Sequence, residues 1–99
     1  MITVARIQGR VASHFGFKAA VLRGPRRFEQ LTRARAVAMY MTRELTDLSF
    51  PEIGRAFGGK HHTTVMYAHR RVLADQGLLA TALALALELN PGTPAPVSA

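Results

Sequence analysis

Ser49-Phe50-Pro51-Glu52-Ile53-Gly54-Arg55-Ala56-Phe57-Gly58-Gly59-Lys60-His61-His62-Thr63-Thr64-Val65 is the stretch whose reading decides the fold. Its first four residues form a capping box. The Ser49 hydroxyl is placed to accept from the backbone at Glu52, and the Glu52 carboxylate to reach back. Pro51 fits the first turn, where its missing N–H has no intrahelical partner to lose. Ile53, Ala56 and Phe57 face inward, and Gly58-Gly59 ends the helix within three turns. A second helix starts near His61 and carries Val65, Ala68, Val72 and Leu73 on one face. Short helix, glycine turn and second helix with a polar exposed face are the parts of a helix-turn-helix. In such a unit the second helix must enter a major groove about 12 Å wide with hydrogen-bonding groups at its leading end. Here that end is Lys60-His61-His62-Thr63-Thr64, uniformly polar, at a helix N-terminus that itself attracts phosphate.

Outward from this unit the chain reads as helix throughout. Gly77 is expected to break the second helix. Leu78 to Leu89 then forms a last helix of Leu and Ala, stopped by Asn90-Pro91-Gly92. Residues 91–99 are Pro-rich and expected to be disordered. On the N-terminal side, a long helix is expected from Phe28 or Thr32 to Thr46. Ala34, Val37, Ala38, Met41 and Leu45 form its apolar stripe, Met39 and Tyr40 widen it, and Arg33, Arg35 and Arg43 lie off it. Before it come the basic loop Arg23-Gly24-Pro25-Arg26-Arg27 and a short apolar link, Phe17 to Leu22, with room for one helical turn. A first helix, capped by Thr3 and stopped by Gly16, aligns Val4, Ile7, Val11 and Phe15. His14 lies near that stripe and is expected to be partly buried. The expectation is an all-α fold: one domain over residues 1–90, with five or so helices.

Ninety-nine residues suit one compact domain with a modest core. Without cysteine there are no disulfides and no thiolate metal sites. Met1 to Arg10 is not a secretory signal, and the longest apolar stretch, Leu78 to Leu87, is about half of a membrane span. The expected location is the cytoplasm, on the nucleoid. Charge is more telling. The thirteen Lys and Arg residues all lie between Arg6 and Arg71, beside only Glu29, Glu44, Asp47 and Glu52. Thirteen bases against four acids make that stretch +9, while the rest holds Asp75, Glu88 and no base. A basic body of this kind points to a polyanion, most commonly a duplex backbone.

The run from Ala34 to Thr46, Ala-Arg-Ala-Val-Ala-Met-Tyr-Met-Thr-Arg-Glu-Leu-Thr, followed by Ser49 to Val65, closely resembles the C-terminal DNA-binding domain of the replication initiator DnaA. The resemblance covers roughly Ile2 to Leu73, basic loop included, and implies double-stranded DNA as partner. It implies base contacts in the major groove from His62 and Thr63, a backbone contact from Thr64, and further major-groove reading by Arg35. It also implies a phosphate contact from Arg43 and minor-groove entry by Arg27, next to Arg26 in the same loop. Lys60 and His61 belong to the same DNA-facing end. Two positions depart from the family pattern. His61 stands where an aspartate caps the second helix and accepts from cytosine, and imidazole is expected to be a poor cap. Ala36 stands where many members have glutamine. DNA affinity is therefore expected to survive better than the family's sequence preference, with Glu29 opposing phosphate slightly. The family's ATPase region does not precede Met1, and a free-standing relative is expected.

Other chemistries fit less well. Gly54 to Lys60 spells most of a P-loop, but His61 replaces the Ser or Thr that holds Mg²⁺. His61, His62 and His69 lack a carboxylate at ligand spacing. No nucleophile–base–acid set stands out, so neither an enzyme nor a cofactor is expected. An alternative of another class is a protein-interaction module that kept the fold, with DnaA or its regulators as partner. The spare face of Leu78–Leu89 also offers a homodimer contact.

Overall fold

The computed structural model describes residues 2–90, and within them the fold is six helices without a strand. They are α1 (Val4–Phe15), α2 (Ala19–Arg23), α3 (Glu29–Leu45), α4 (Phe50–Ala56), α5 (His62–Ala74) and α6 (Gln76–Leu89). The tail expected to be disordered lies outside the described residues.

Local chemistry sets the helix ends. Thr3 Oγ1 accepts from the Arg6 amide at 3.2 Å, and α1 closes on Gly16 at φ +83°. There Gly16 N–H donates to Ser13 and Phe17 N–H to Ala12, which satisfies the last carbonyls. The expected capping box is present: Ser49 Oγ accepts from Glu52 N at 3.3 Å, and Glu52 Oε1 accepts from Ser49 N at 2.9 Å. Those bonds, the backbone one foremost, hold the Glu52 carboxyl below its ordinary range. The break after α5 is made by Asp75, not Gly77. Asp75 closes α5 and caps α6, its Oδ1 accepting from Leu78 N at 3.1 Å, while Gly77 sits in the first turn of α6. A short carboxylate at an N-cap is a stronger signal than a glycine two residues on.

The long helix α3 is the spindle of the fold. The expected stripe understates it, because every residue from Ala34 to Thr42 is buried. Helices α1 and α6 pack on one part of it and α4 and α5 on another, enclosing a core built on Ile7, Leu22, Val37, Met41, Ile53, Phe57, Val65 and Leu85. Two expectations at the periphery change. Leu73 is 47% exposed instead of inward-facing, and His14 is exposed with its ring edge against Phe15. Ion pairs tie the outer helices: Arg10 to Glu88 between α1 and α6, and Arg71 to Glu29 between α5 and α3, each at 2.7 Å. Both pairs are solvent-screened and are worth at most about 1 kcal/mol.

The turn from α4 to α5 is the tightest place in the chain. Gly58 and Gly59 take φ +86° and +79°, where a Cβ is strained. A Cβ on Gly58 would also collide with the Arg23 carbonyl, and one on Gly54 with the Lys60 carbonyl. The Lys60 amide meanwhile donates to Gly54 O at 2.8 Å. Gly54→Ala is expected to destabilise the protein by about 1–3 kcal/mol, read as a fall in urea midpoint. Ser49→Ala is expected to cost about 1 kcal/mol by loss of the cap, lowering Tm by roughly 4–8 °C. Because Glu52 is held below its ordinary range, its support of α4 is present above the carboxylate range and lost as pH falls through the depressed titration. Glu52→Gln removes that part of the acid dependence.

Candidate nucleic-acid interface

Five of the expected DNA-facing residues, Arg27, Arg35, Lys60, His61 and Thr64, meet at a cleft of about 660 Å³ between α3 and α5, while Arg26, Arg43, His62 and Thr63 lie outside its lining. Thr32, Ala36 and Met39 line it from α3, and Thr64, Tyr67, Ala68 and Arg71 from α5. Arg27, Arg35, Lys60 and His61 close one end. Its charged lining residues, Arg27, Arg35, Lys60 and Arg71, are all cationic, and Arg71 is paired with Glu29.

At the head of α5, His61 and His62 are exposed and Thr63 and Thr64 are half-buried. The rings of His61 and His62 lie 4.3 Å apart. His61 does cap the helix, contrary to the expectation of a poor cap. Its Nδ1 accepts from the Thr63 amide at 3.2 Å and stands 2.8 Å from Thr63 Oγ1. A ring nitrogen at the correct distance serves as the acceptor, although it offers one lone pair where a carboxylate offers several. Nδ1 accepts only while it is unprotonated.

Two of the expected contacts are placed differently. Arg35 does not stand off the packed stripe: it is 6% exposed. Its Nε donates to Leu22 O at 2.8 Å, Nη1 to Arg26 O at 3.1 Å, and Nη2 to Val21 O and Gly24 O at 3.1 and 3.2 Å. Burial, then the nearby Arg27 charge, lowers its pKa from the ordinary arginine range. Lys60 is likewise turned inward, its Nζ donating to Phe57 O at 2.6 Å, Gly24 O at 2.9 Å and Arg23 O at 3.4 Å. Burial lowers its pKa also, with Arg35 and Arg27 adding like-charge repulsion. The reason is local. Helix α2 has five residues, so its last carbonyls lack intrahelical donors, and two cations supply those of Val21, Leu22 and Arg23.

The remaining cations point outward. Arg26 and Arg27 are exposed in the loop after α2, with the Arg26 guanidinium 5.4 Å from the Phe28 ring. Arg43 lies 4.5 Å over the Phe50 ring and donates to Leu48 O at 3.0 Å, which holds it beside the start of α4. His69 stays out of the His61–His62 pair: its Nε2 lies 3.1 Å from Glu44 Oε2, and its ring sits 4.9 Å from Tyr40. Among the described residues no three His, Asp or Glu side chains converge as metal ligands. Tyr67, 66% exposed, and Arg71 belong to this surface although they were not singled out from sequence. The signal was present, since Thr64, Tyr67, Ala68 and Arg71 follow helical spacing from the polar head of α5.

Comparison with known proteins agrees with this geometry. The family described as "Bacterial dnaA protein helix-turn-helix" matches residues 4–72. The chromosomal replication initiator protein DnaA of Latilactobacillus sakei is 46% identical over 71 residues, covering 72% of this chain and 16% of that protein. The DnaA of Cereibacter sphaeroides is 42% identical over 89 residues, covering 90% of this chain and 19% of that protein. The chain thus spans under a fifth of the length of these relatives. Helix order, glycine turn, basic cleft and matched residues lead to one conclusion: the chain belongs to the bacterial DnaA helix-turn-helix family, whose domain binds DNA.

Proposed function

We propose that this protein binds double-stranded DNA at sites like the initiator's boxes and thereby regulates replication initiation or transcription, without catalysis of its own. The observation that carries the reading is the cleft that brings Arg27 of the basic loop together with Lys60, His61 and Thr64 at the head of α5, where His62 is exposed and Thr63 half-buried. His62 and Thr63 read base edges in the major groove, and Thr64 contacts the backbone. Arg27, with Arg26 beside it, enters the adjacent minor groove, where arginine suits a narrow A·T-rich stretch. Arg43 meets phosphate near the start of α4. Arg35, Lys60 and His61 belong to the same interface, the first two as charge at its floor and His61 as the cap of the reading helix. Such a protein works on the nucleoid, in the cytoplasm. No single helix among the described residues is long and apolar enough to cross a membrane.

A second reading rests on α6. Leu87 is 46% exposed, and Ala84 and Ala80, also exposed, lie one and two turns before it. That face suits a second copy of the chain or a replication-regulatory protein such as DnaA. A titration against a duplex carrying initiator boxes, beside a scrambled duplex, separates the readings. A preference for the boxes at moderate salt supports DNA readout, and equal binding favours the interaction role.

Arg27→Ala is expected to weaken duplex binding and to flatten its salt dependence by about one phosphate's worth, a slope change near 0.9. Thr63→Ala is expected to cost roughly 1–3 kcal/mol of discrimination at one base pair. Fluorescence anisotropy with permuted duplexes measures both. His61→Asp returns a carboxylate to the head of α5. It is expected to sharpen preference at one cytosine by a similar amount while keeping the cap; an unchanged preference would deny position 61 a part in readout.

A further inference from the structure

Lys60 sits at the head of the reading helix, yet its ammonium faces away from the groove. It reaches across to Gly24 and Arg23 at the end of α2, and to Phe57 at the end of α4. Arg35 reaches the same strand of chain from the opposite side, through the carbonyls of Val21, Leu22, Gly24 and Arg26. Between them these cations take carbonyls from every residue of 21–24, and Arg26 besides. Arg27, the next residue, is the one proposed to enter the minor groove. Gly58 completes the contact, because its missing Cβ lets the helix-turn-helix turn lie directly on the Arg23 carbonyl. A third strut runs nearby: Arg23 Nη1 donates to Gln8 Oε1 at 2.8 Å, and Gln8 Nε2 donates to Ala56 O at 3.0 Å. A segment held at five carbonyls between Val21 and Arg26 by side chains from two other elements, and at the Arg23 side chain by a third, is not a free arm.

We infer that Lys60 and Arg35 are positioning residues that clamp the basic loop to the helix-turn-helix, so that the minor-groove and major-groove readers form one rigid unit with a fixed spacing. The inference rests on the DNA-binding reading and replaces direct contact by Lys60 with action through Arg27. A free arm orders on DNA and loses entropy in doing so, whereas a clamped loop arrives ordered. Clamping also fixes the distance between the two grooves that a site must present, so spacing becomes part of what is recognised. Three cations gathered at the clamp, Arg27, Arg35 and Lys60, repel one another. Carbonyl oxygens are what hold the two inner ones there.

The test uses Lys60→Met, which keeps the stem and removes the three donors, alone and combined with Arg27→Ala. Loss of Arg27 is expected to weaken binding to a box-bearing duplex about tenfold in the parent. The same loss is expected to cost less than about twofold once Lys60 is Met, because the loop is already released. A direct Lys60–phosphate contact predicts multiplied effects, and that result would overturn the clamp. A second measurement needs no DNA. The sequence has no cysteine, so nitroxide labels at Pro25→Cys and Arg70→Cys report the loop-to-α5 distance alone. A narrow distribution in the parent that broadens with Lys60→Met supports the clamp; equal widths refute it. Should Lys60→Met not fold, Lys60→Gln, with an amide donor on a shorter stem, carries the same comparison. If the parent binds no duplex, the DNA-binding reading fails, and the label distances still decide the clamp.

Discussion

The carbonyl oxygens at the end of α2 are the constraint on which the rest depends. A helix of one turn cannot satisfy its own backbone, and an unmet buried carbonyl costs about 1–3 kcal/mol. This protein answers with an arginine from the middle of its central helix and a lysine from the turn of its helix-turn-helix. That choice puts two charges in a half-dry place without a carboxylate nearby. It also explains why Gly58 must be glycine, since the turn has to touch the same carbonyls. Fold and interface are therefore one problem in this region. The groups that complete α2 are also the groups that surround the cleft.

Much of the architecture was legible in the sequence because the signals were short-range. Thr3, Gly16, Ser49, Pro51, Glu52 and the positive φ of the Gly58-Gly59 pair act within four residues of themselves; only the approach of Gly58 to the Arg23 carbonyl reaches further. The wide burial of α3 was not legible, since a stripe of Ala, Val and Met predicts one buried face, and only the assembled neighbours show that all faces are covered. Gly77 is the weaker signal for a related reason: a glycine only permits a break, while Asp75, two residues earlier, caps α6 with its carboxylate.

The candidate interface was legible in outline and not in orientation. A basic loop and a polar helix head announce themselves by composition. Whether an arginine on a helix points to solvent or folds back is decided by acceptors distant in sequence, as Arg35 shows with partners nine to fourteen residues away. His61 is the converse case. Its residue type argued against capping, yet the ring nitrogen lies within two residues of the amide it must meet, and proximity prevailed.

Because the nine residues from Ala34 to Thr42 are all buried, the middle of the central helix offers no exposed position on which to vary. Substitution along it must conserve volume, and an inserted or deleted residue there would rotate every packed neighbour by about 100°. Room for change lies instead at the two ends of the spindle, in the loop before it and on the outer sides of the helices packed around it. The molecule resembles a lathe with a fixed axle and exchangeable tools: one interior, fixed by its packing, on which different outer surfaces can be mounted.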